Sequence, residues 1–162
     1  MREFQGRSSS LSRLSPGAKL LYGGYVLLTL AGFLSSVALY WDSLGLDPAR
    51  YFLGNAADAD AVELILEKSP RQLLETTHFH LFTVPVCLLI LGHLFLLSRG
   101  GSWKVAVIAL ALVFTSLHVA GPWLIHLGFP GWIMPVTGIP FLFLYLLMAL
   151  WPLWDLRSSS SS

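Results

Sequence analysis

Four long apolar stretches, separated by short polar segments, dominate the pattern of this chain. Each is long enough for an α-helix to cross the hydrocarbon core of a bilayer, which takes ~20 residues. The pattern therefore predicts an all-α integral membrane protein, with four transmembrane helices in an antiparallel four-helix bundle and one external loop. The predicted spans are residues 20–41, 75–98, 104–127 and 133–154, and the external loop is 42–74.

Local signals predict where some of these helices begin and end. Ser69 and Pro70 are typical of an N-cap followed by proline at the first helical position, and Gln72 completes a capping box. The second helix is therefore expected to start near Pro70, outside the membrane. Residues 57–68 have the apolar spacing of a short amphipathic helix. Pro135 and Pro140 indicate an interfacial piece that is split off before the fourth span.

The polar ends of the chain suggest a simple division into segments. Residues 1–18 are basic and rich in serine, and we expect a flexible cytoplasmic arm. The membrane domain is predicted to occupy residues 19–156. Residues 157–162 are almost all serine and are expected to form a disordered tail.

The distribution of basic residues predicts the orientation in the membrane. Such residues flank the start of the first helix, the turn between the second and third helices, and the end of the fourth. Flanks of this kind stay in the cytoplasm. We therefore expect a multi-pass protein of the cytoplasmic (inner) membrane, with both termini cytoplasmic and the acidic loop 42–74 facing the periplasm. The basic residues are Arg2, Arg7, Arg13, Lys19, Arg99, Lys104 and Arg157.

Composition supports the membrane assignment. The chain has 162 residues, of which 55% are hydrophobic and 12% are charged, and its mean hydropathy is +0.68. Soluble domains are far less apolar, so the lipid bilayer is the expected environment. The net charge of +1 carries no signature of nucleic-acid binding. The single cysteine, Cys87, excludes an intrachain disulfide.

Five histidines carry the candidate chemistry, because an imidazole in hydrocarbon is costly unless it is paired or bound to something. His78, His80 and His93 lie on the second predicted helix, and His118 and His126 lie on the third. Neutral imidazole binds iron, copper or zinc through one ring nitrogen. A b-type haem in a helical bundle takes axial histidines from one or two facing helices. The cofactor-binding candidates are His78, His80, His93 and His118, with Arg71 as a partner for a haem propionate.

Depth along the helices limits how these histidines can pair as axial ligands. His118 lies ~12 Å deeper than His126, from the rise of 1.5 Å per residue. In an antiparallel hairpin, His80 with His118 and His78 with His126 both come to similar depths. His118 is favoured as one ligand because it is the deeper histidine of the third helix. His78 is slightly favoured over His80 as the other, because it shares a helical stripe with Glu75.

Two alternatives to haem stay open. The first is a copper or zinc site at the outer face, since imidazole suits both metals. The Glu-x-x-His spacing of Glu75 and His78 also occurs in di-iron bundles, but the other predicted helices supply no further carboxylates. The second alternative is a cofactor-free structural or assembly subunit of a membrane complex. The metal-binding candidates are His78, His80, His118, His126 and Glu75.

The arrangement resembles the small four-helix membrane b-type cytochromes. The resemblance covers the hydrophobic pattern of residues 20–155 and the histidines of the second and third helices. The spacing of His80 and His93 matches that of two-haem cytochrome b, whereas His118 and His126 are only eight residues apart. The resemblance implies at least one haem b and electron transfer between the quinone pool or a membrane complex and a periplasmic redox partner. It favours an electron carrier or subunit over a stand-alone enzyme.

The predicted orientation can be tested by cysteine labelling in a variant whose Cys87 is replaced by alanine. We expect Ser43→Cys to react from the periplasmic side and Gly100→Cys to react from the cytoplasmic side, because basic flanks hold the second turn inside. A membrane-impermeant maleimide, applied to intact and to permeabilised spheroplasts, measures the accessible side. Labelling of Gly100→Cys from outside alone would refute this orientation.

Overall fold

Five helices make up the part of the chain that the computed structural model describes, which is residues 11, 14–45, 47–56 and 64–158. Four of them are long and apolar enough to cross a membrane. The predicted all-α four-helix membrane bundle is therefore confirmed, and the protein is an integral, multi-pass membrane protein. The helices are α1 Pro16–Leu44, α2 Pro48–Leu53, α3 Pro70–Leu97, α4 Trp103–His126 and α5 Ile133–Ser158.

The capping box predicted at the start of α3 is confirmed. The Gln72 backbone N–H donates to the Ser69 hydroxyl at 3.3 Å, and the Ser69 backbone N–H donates to the Gln72 side chain at 2.8 Å. Pro70 occupies the first helical position, where its missing N–H leaves no bond unmade. α3 therefore begins before the predicted span.

α1 begins inside the segment predicted as a flexible arm. The Ser15 hydroxyl accepts from the Ala18 backbone N–H at 3.3 Å, and Pro16 takes the first position of the helix. The same Ser-Pro start as in α3 thus opens this helix. Residues 1–10, most of the predicted arm, and residues 159–162, most of the predicted tail, lie outside the described residues.

Two local predictions were wrong. α5 runs unbroken over Ile133–Ser158, so no interfacial piece is split off. Pro135 sits in the first turn, where a backbone N–H would have no helical partner. In the loop, residues 64–68 are not helical. There the Ile65 N–H donates to the Asn55 side chain at 2.6 Å, and the Asn55 N–H donates to the Ile65 carbonyl at 3.0 Å. The rest of that predicted helix lies outside the described residues.

The four long helices alternate in direction, so the bundle has two distinct ends. One carries the turn between α3 and α4, residues 98–102, with the start of α1 and the end of α5; we call it the turn end. The other carries α2 and is called the α2 end. α5 occupies the central position, since it packs against α1, α3 and α4.

Two hydrophobic clusters hold the helices together. The smaller lies at the α2 end, where Phe52 of α2 packs against Leu73, Ile125 and Met134 of the three following helices. α2 was not predicted, and it closes this end of the bundle. The larger cluster occupies the turn half. Its most deeply buried members are Leu11, Val26, Leu91, Leu94, Phe95, Ala111, Tyr145, Met148 and Ala149.

A buried carboxylate ties the α3–α4 turn to α5. Asp155 accepts from the Arg99 backbone N–H at 3.0 Å and lies 3.2 Å from Arg99 Nε. Trp151 Nε1 donates to the Arg99 carbonyl at 2.8 Å. Lys104 is buried near Asp155, and its ammonium donates to both oxygen atoms of Ser98. The Arg99 side chain is mostly exposed, so its ion pair with Asp155 stabilises the protein little. The hydrogen bond from the Arg99 backbone N–H and the proximity of the buried Lys104 are therefore the main stabilising interactions of Asp155.

Asp155→Ala is expected to destabilise the protein by about 3 kcal/mol, because it removes the acceptor of the part-buried Arg99 amide and the counter-charge near the buried Lys104. The matched control is Glu75→Ala, which removes an exposed ion pair with Arg71 and should cost at most ~1 kcal/mol. Unfolding in mixed micelles of rising SDS content, followed by circular dichroism, measures both. Equal losses in the two variants would contradict this role of Asp155.

Candidate functional site

Two of the five histidines come together in the α2 half of the bundle. His80 of α3 and His118 of α4 lie close enough for their ring charges to interact. His80 is exposed, whereas His118 is partly buried. This pair is one of the two pairings that depth along the hairpin allows.

The surroundings of His118 are formed largely by α5. The Phe141 ring stacks on the imidazole, with centroids 5.5 Å apart and planes 10° from parallel. Gly138 lets the ring approach the helix closely, since a Cβ at that position would lie 2.9 Å from His118 Cε1. Thr137 Oγ1 lies 3.3 Å from His118 Nδ1. None of these three neighbours was predicted as part of a site.

Hydrogen bonds determine which ring nitrogen carries the proton in both histidines. The Thr137 hydroxyl donates its proton to the Ile133 carbonyl at 2.7 Å, so it can only accept from His118 Nδ1. His80 Nδ1 lies 2.8 Å from the Thr76 carbonyl oxygen, which can only accept. Each Nδ1 is therefore the donor, and each Nε2 presents a lone pair. Neutral imidazole binds a metal in this form.

The α2 half of the bundle leaves helix surface uncovered beside this pair. In α3, every residue of 74–83 except Thr77 is exposed, and in α1 residues 34–39 are all exposed. At 3.6 residues per turn, such segments include every face of the helix, so no helix in the described part of the chain covers them. The turn half of α3 differs, because it buries Leu88, Leu91, Leu94 and Phe95.

Contacts on either side bound the region around the pair. Toward the α2 end, Trp123 Nε1 donates to the Thr77 hydroxyl at 2.8 Å and joins α4 to α3. Toward the turn end, Phe141 packs against Phe33 and Tyr145, with centroids 6.3 and 4.6 Å away. The region between these contacts is largely apolar and contains His80 and His118, a mixture of apolar and polar groups that small-molecule sites also have.

Three other predicted residues share the exposed surface of α3 near the α2 end. His78 packs against Phe82, with centroids 4.8 Å apart, and no hydrogen bond to its ring occurs within the described part of the chain. Arg71 Nε donates to Glu75 Oε1 at 3.0 Å, so these two side chains pair with each other. All three side chains are accessible to a ligand or to solvent.

The remaining two histidines lie apart from the pair. His126 Nδ1 is 3.4 Å from Glu67 Oε1, and its Nε2 is buried with no hydrogen-bond partner among the described residues. His93 is exposed near the turn end, ~20 Å along α3 from His80 by the helical rise. Across the described residues, no group of three or more His, Cys, Asp or Glu side chains could hold a metal ion. The predicted copper or zinc ligands are thus not gathered into one cluster there.

Comparison with known proteins identifies the membrane domain. A protein-family model described as a transmembrane helical domain matches residues 47–162. The match runs from the N-cap of α2 through α5 and includes all five histidines. No curated protein and no solved structure matches the chain.

The close contact at Gly138 can be tested with a matched glycine. Gly138→Ala is expected to lower the melting temperature, because the new Cβ displaces the His118 ring and this outweighs the gain in helix propensity of at most ~1 kcal/mol. Gly32→Ala is the control: nothing lies within 4 Å of a Cβ there, so it should stabilise by ~0.5–1 kcal/mol. Thermal unfolding in one detergent compares them. Stabilisation of both variants would show that His118 does not pack on this glycine.

Proposed function

The chain belongs to the Aq_1264_TM family of transmembrane helical domains, and on this premise we propose that it is a membrane electron carrier with one b-type haem, ligated by His80 and His118. The observation that carries the proposal is that each ring of this pair has a hydrogen-bond acceptor beside its Nδ1. Two neighbouring imidazoles, one on each of two facing helices, donate through Nδ1 and leave both Nε2 lone pairs available.

The oxygen atoms behind the two rings support this assignment. A metal-binding histidine usually donates its other N–H to a carbonyl, carboxylate or similar acceptor, which orients the ring and raises its basicity. Here the Thr76 carbonyl accepts from His80 Nδ1, and the Thr137 hydroxyl accepts from His118 Nδ1. A haem b with two histidine ligands supplies reversible one-electron transfer. With His80 and His118 both bound to it, the haem would supply electron transfer rather than oxygen binding.

His80 fits the role of second ligand better than His78. His80 lies within electrostatic range of His118 and has an acceptor that holds its Nδ1 proton. His78 contacts Phe82 and has no such acceptor among the described residues. The choice reverses the slight preference that the shared stripe of His78 with Glu75 suggested.

Basic side chains at the α2 end can bind the haem propionates. Arg50 of α2 and Arg71 of α3 are exposed, and Lys68 lies over the Tyr51 ring, 4.5 Å from its centroid. Arg71 precedes His80 by ~13 Å along the helix axis. The propionate edge, and with it electron exchange with a soluble partner, would then face the α2 end. With the orientation that the basic flanks predict, that partner is a periplasmic redox protein, and the quinone pool or a membrane complex is the other redox partner.

A second candidate function is a structural subunit of a larger membrane complex, and it is favoured by α1. The most apolar 18-residue window of α1 is only 6% buried within the protein. Lipid or another chain therefore covers most of this helix. Stoichiometric co-purification with a larger complex, together with the lack of any haem absorption, would support this function over electron transfer.

The absorption spectrum of the purified full-length protein tests the electron-carrier proposal. We expect a Soret band and sharp α and β bands on reduction, as given by low-spin haem with two histidine ligands. The pyridine haemochrome assay should return a haem-to-chain ratio near unity. A colourless protein contradicts the proposal, and stoichiometric copper or zinc in it would support the metal alternative.

Histidine variants test the ligand assignment. His80→Ala and His118→Ala should each lose the haem or convert it to high spin, because each removes an iron ligand. His126→Ala and His93→Ala are matched controls that lie away from the pair and should keep the low-spin spectrum. A normal low-spin spectrum at full occupancy in His118→Ala would show that the assignment is wrong.

A further inference from the structure

A second group of polar side chains lies inside the bundle, where the four long helices meet. Tyr25 of α1 lies next to Cys87 of α3. Tyr145 of α5 lies next to Thr115 of α4 and within electrostatic range of both Tyr25 and Cys87. Tyr25, Cys87 and Tyr145 all pack within the larger hydrophobic cluster. Each of the four long helices thus contributes at least one hydrogen-bonding side chain to the same interior region.

Two of these hydroxyl groups are buried without a well-formed hydrogen bond to any described residue. Thr115 is 8% exposed, and neither its Oγ1 nor the Tyr25 hydroxyl has a described partner in good hydrogen-bonding geometry, although Thr29 and Cys87 lie near Tyr25 and Tyr145 lies near Thr115. Tyr145, which is fully buried, donates to the Val84 carbonyl at 3.3 Å and keeps its own oxygen free to accept. An unpaired buried hydroxyl is costly because it loses its hydrogen bonds to water, and such groups are rare in native proteins. The Tyr25 and Thr115 hydroxyls both lie near the Tyr145 oxygen, which can still accept a hydrogen bond, so one bound group could satisfy all three.

We propose that this region binds one water molecule between the hydroxyls of Tyr25, Thr115 and Tyr145. A buried water requires two to four polar partners. Here the water accepts from the Tyr25 and Thr115 hydroxyls and donates to the Tyr145 oxygen, and its second proton can point toward the Cys87 sulfur. Every hydroxyl of the group is then satisfied.

The packing around Tyr145 selects water over a larger polar ligand. The Phe33 ring meets Tyr145 edge-on at 5.1 Å between centroids, and the Phe141 ring lies 4.6 Å away. A quinone ring or a lipid headgroup would have to displace these side chains. The water gives α1, which packs mainly on α5 and α2, a polar link to the interior of the bundle. The site does not depend on haem.

X-ray hydroxyl-radical footprinting of the full-length protein in lipid nanodiscs tests this site. Radiolysis turns a bound water into a hydroxyl radical, which oxidises the side chains in contact with it. We expect oxidation of Tyr145 despite its burial, and far less oxidation of Phe95, an equally buried aromatic residue of the same cluster. Oxidation of Tyr145 at no more than the level of Phe95 overturns the proposal.

Variants of the two unpaired hydroxyls make this test specific. Thr115→Val and Tyr25→Phe keep the shape of each side chain and should each lower Tyr145 oxidation several-fold. Ser116→Ala is the matched control, because Ser116 is exposed and donates to the Leu112 carbonyl at 2.9 Å. It should leave Tyr145 oxidation unchanged. Undiminished oxidation in both hydroxyl variants overturns the proposed site.

Thermal unfolding of Thr115→Val is an independent test, because the water site and an unpaired hydroxyl predict opposite changes in melting temperature. If water bridges the three hydroxyls, Thr115→Val leaves that water a partner short and should lower the melting temperature by about 2–4 °C. If the Thr115 hydroxyl were simply unpaired, its removal would relieve a desolvation penalty and raise the melting temperature. A raised melting temperature in Thr115→Val therefore overturns the water site.

Discussion

Polar groups in the hydrocarbon core of a bilayer have to find partners within the protein, because lipid tails offer none and an unpaired group costs several kcal/mol. This constraint arranges the polar side chains of the bundle into layers. At the turn end, Asp155 ties the α3–α4 turn to α5. In the middle, hydroxyl groups from α1, α4 and α5 converge. In the α2 half, oxygen acceptors hold the Nδ1–H groups of His80 and His118.

Side-chain packing also differs between the two halves of the molecule. The turn half buries aliphatic and aromatic side chains from all four long helices, and hydrophobic contact there stabilises the bundle. In the α2 half, α1 and α3 expose whole turns, and the small cluster around Phe52 closes the end. α5 joins the halves, because Tyr145 anchors it in the core while Gly138 and Phe141 receive His118. A well-packed half thus adjoins a half with exposed helix surface.

The fold was predictable because the bilayer leaves few choices. A chain with four long apolar stretches can satisfy its backbone in hydrocarbon as helices, and the capping box at Ser69 is a local signal that the structure confirms. α2 was missed because its six residues are held by the burial of Phe52 against three other helices. α5 is unbroken despite Pro140, since neighbouring groups can satisfy the backbone that proline frees within a membrane bundle.

For the candidate site, too, some features follow from the sequence and others only from the tertiary structure. The sequence by itself determined the membrane class, the helix order and the depth of each histidine, because these follow from apolar length and helical rise. It favoured His78 only slightly over His80, since a helix that is apolar on nearly every side does not reveal how it is rotated. Only the tertiary structure placed His80 within electrostatic range of His118 and α5 beside the His118 imidazole. Those choices depend on side-chain packing between helices, as at Gly138, where a missing Cβ makes room for a ring from another helix.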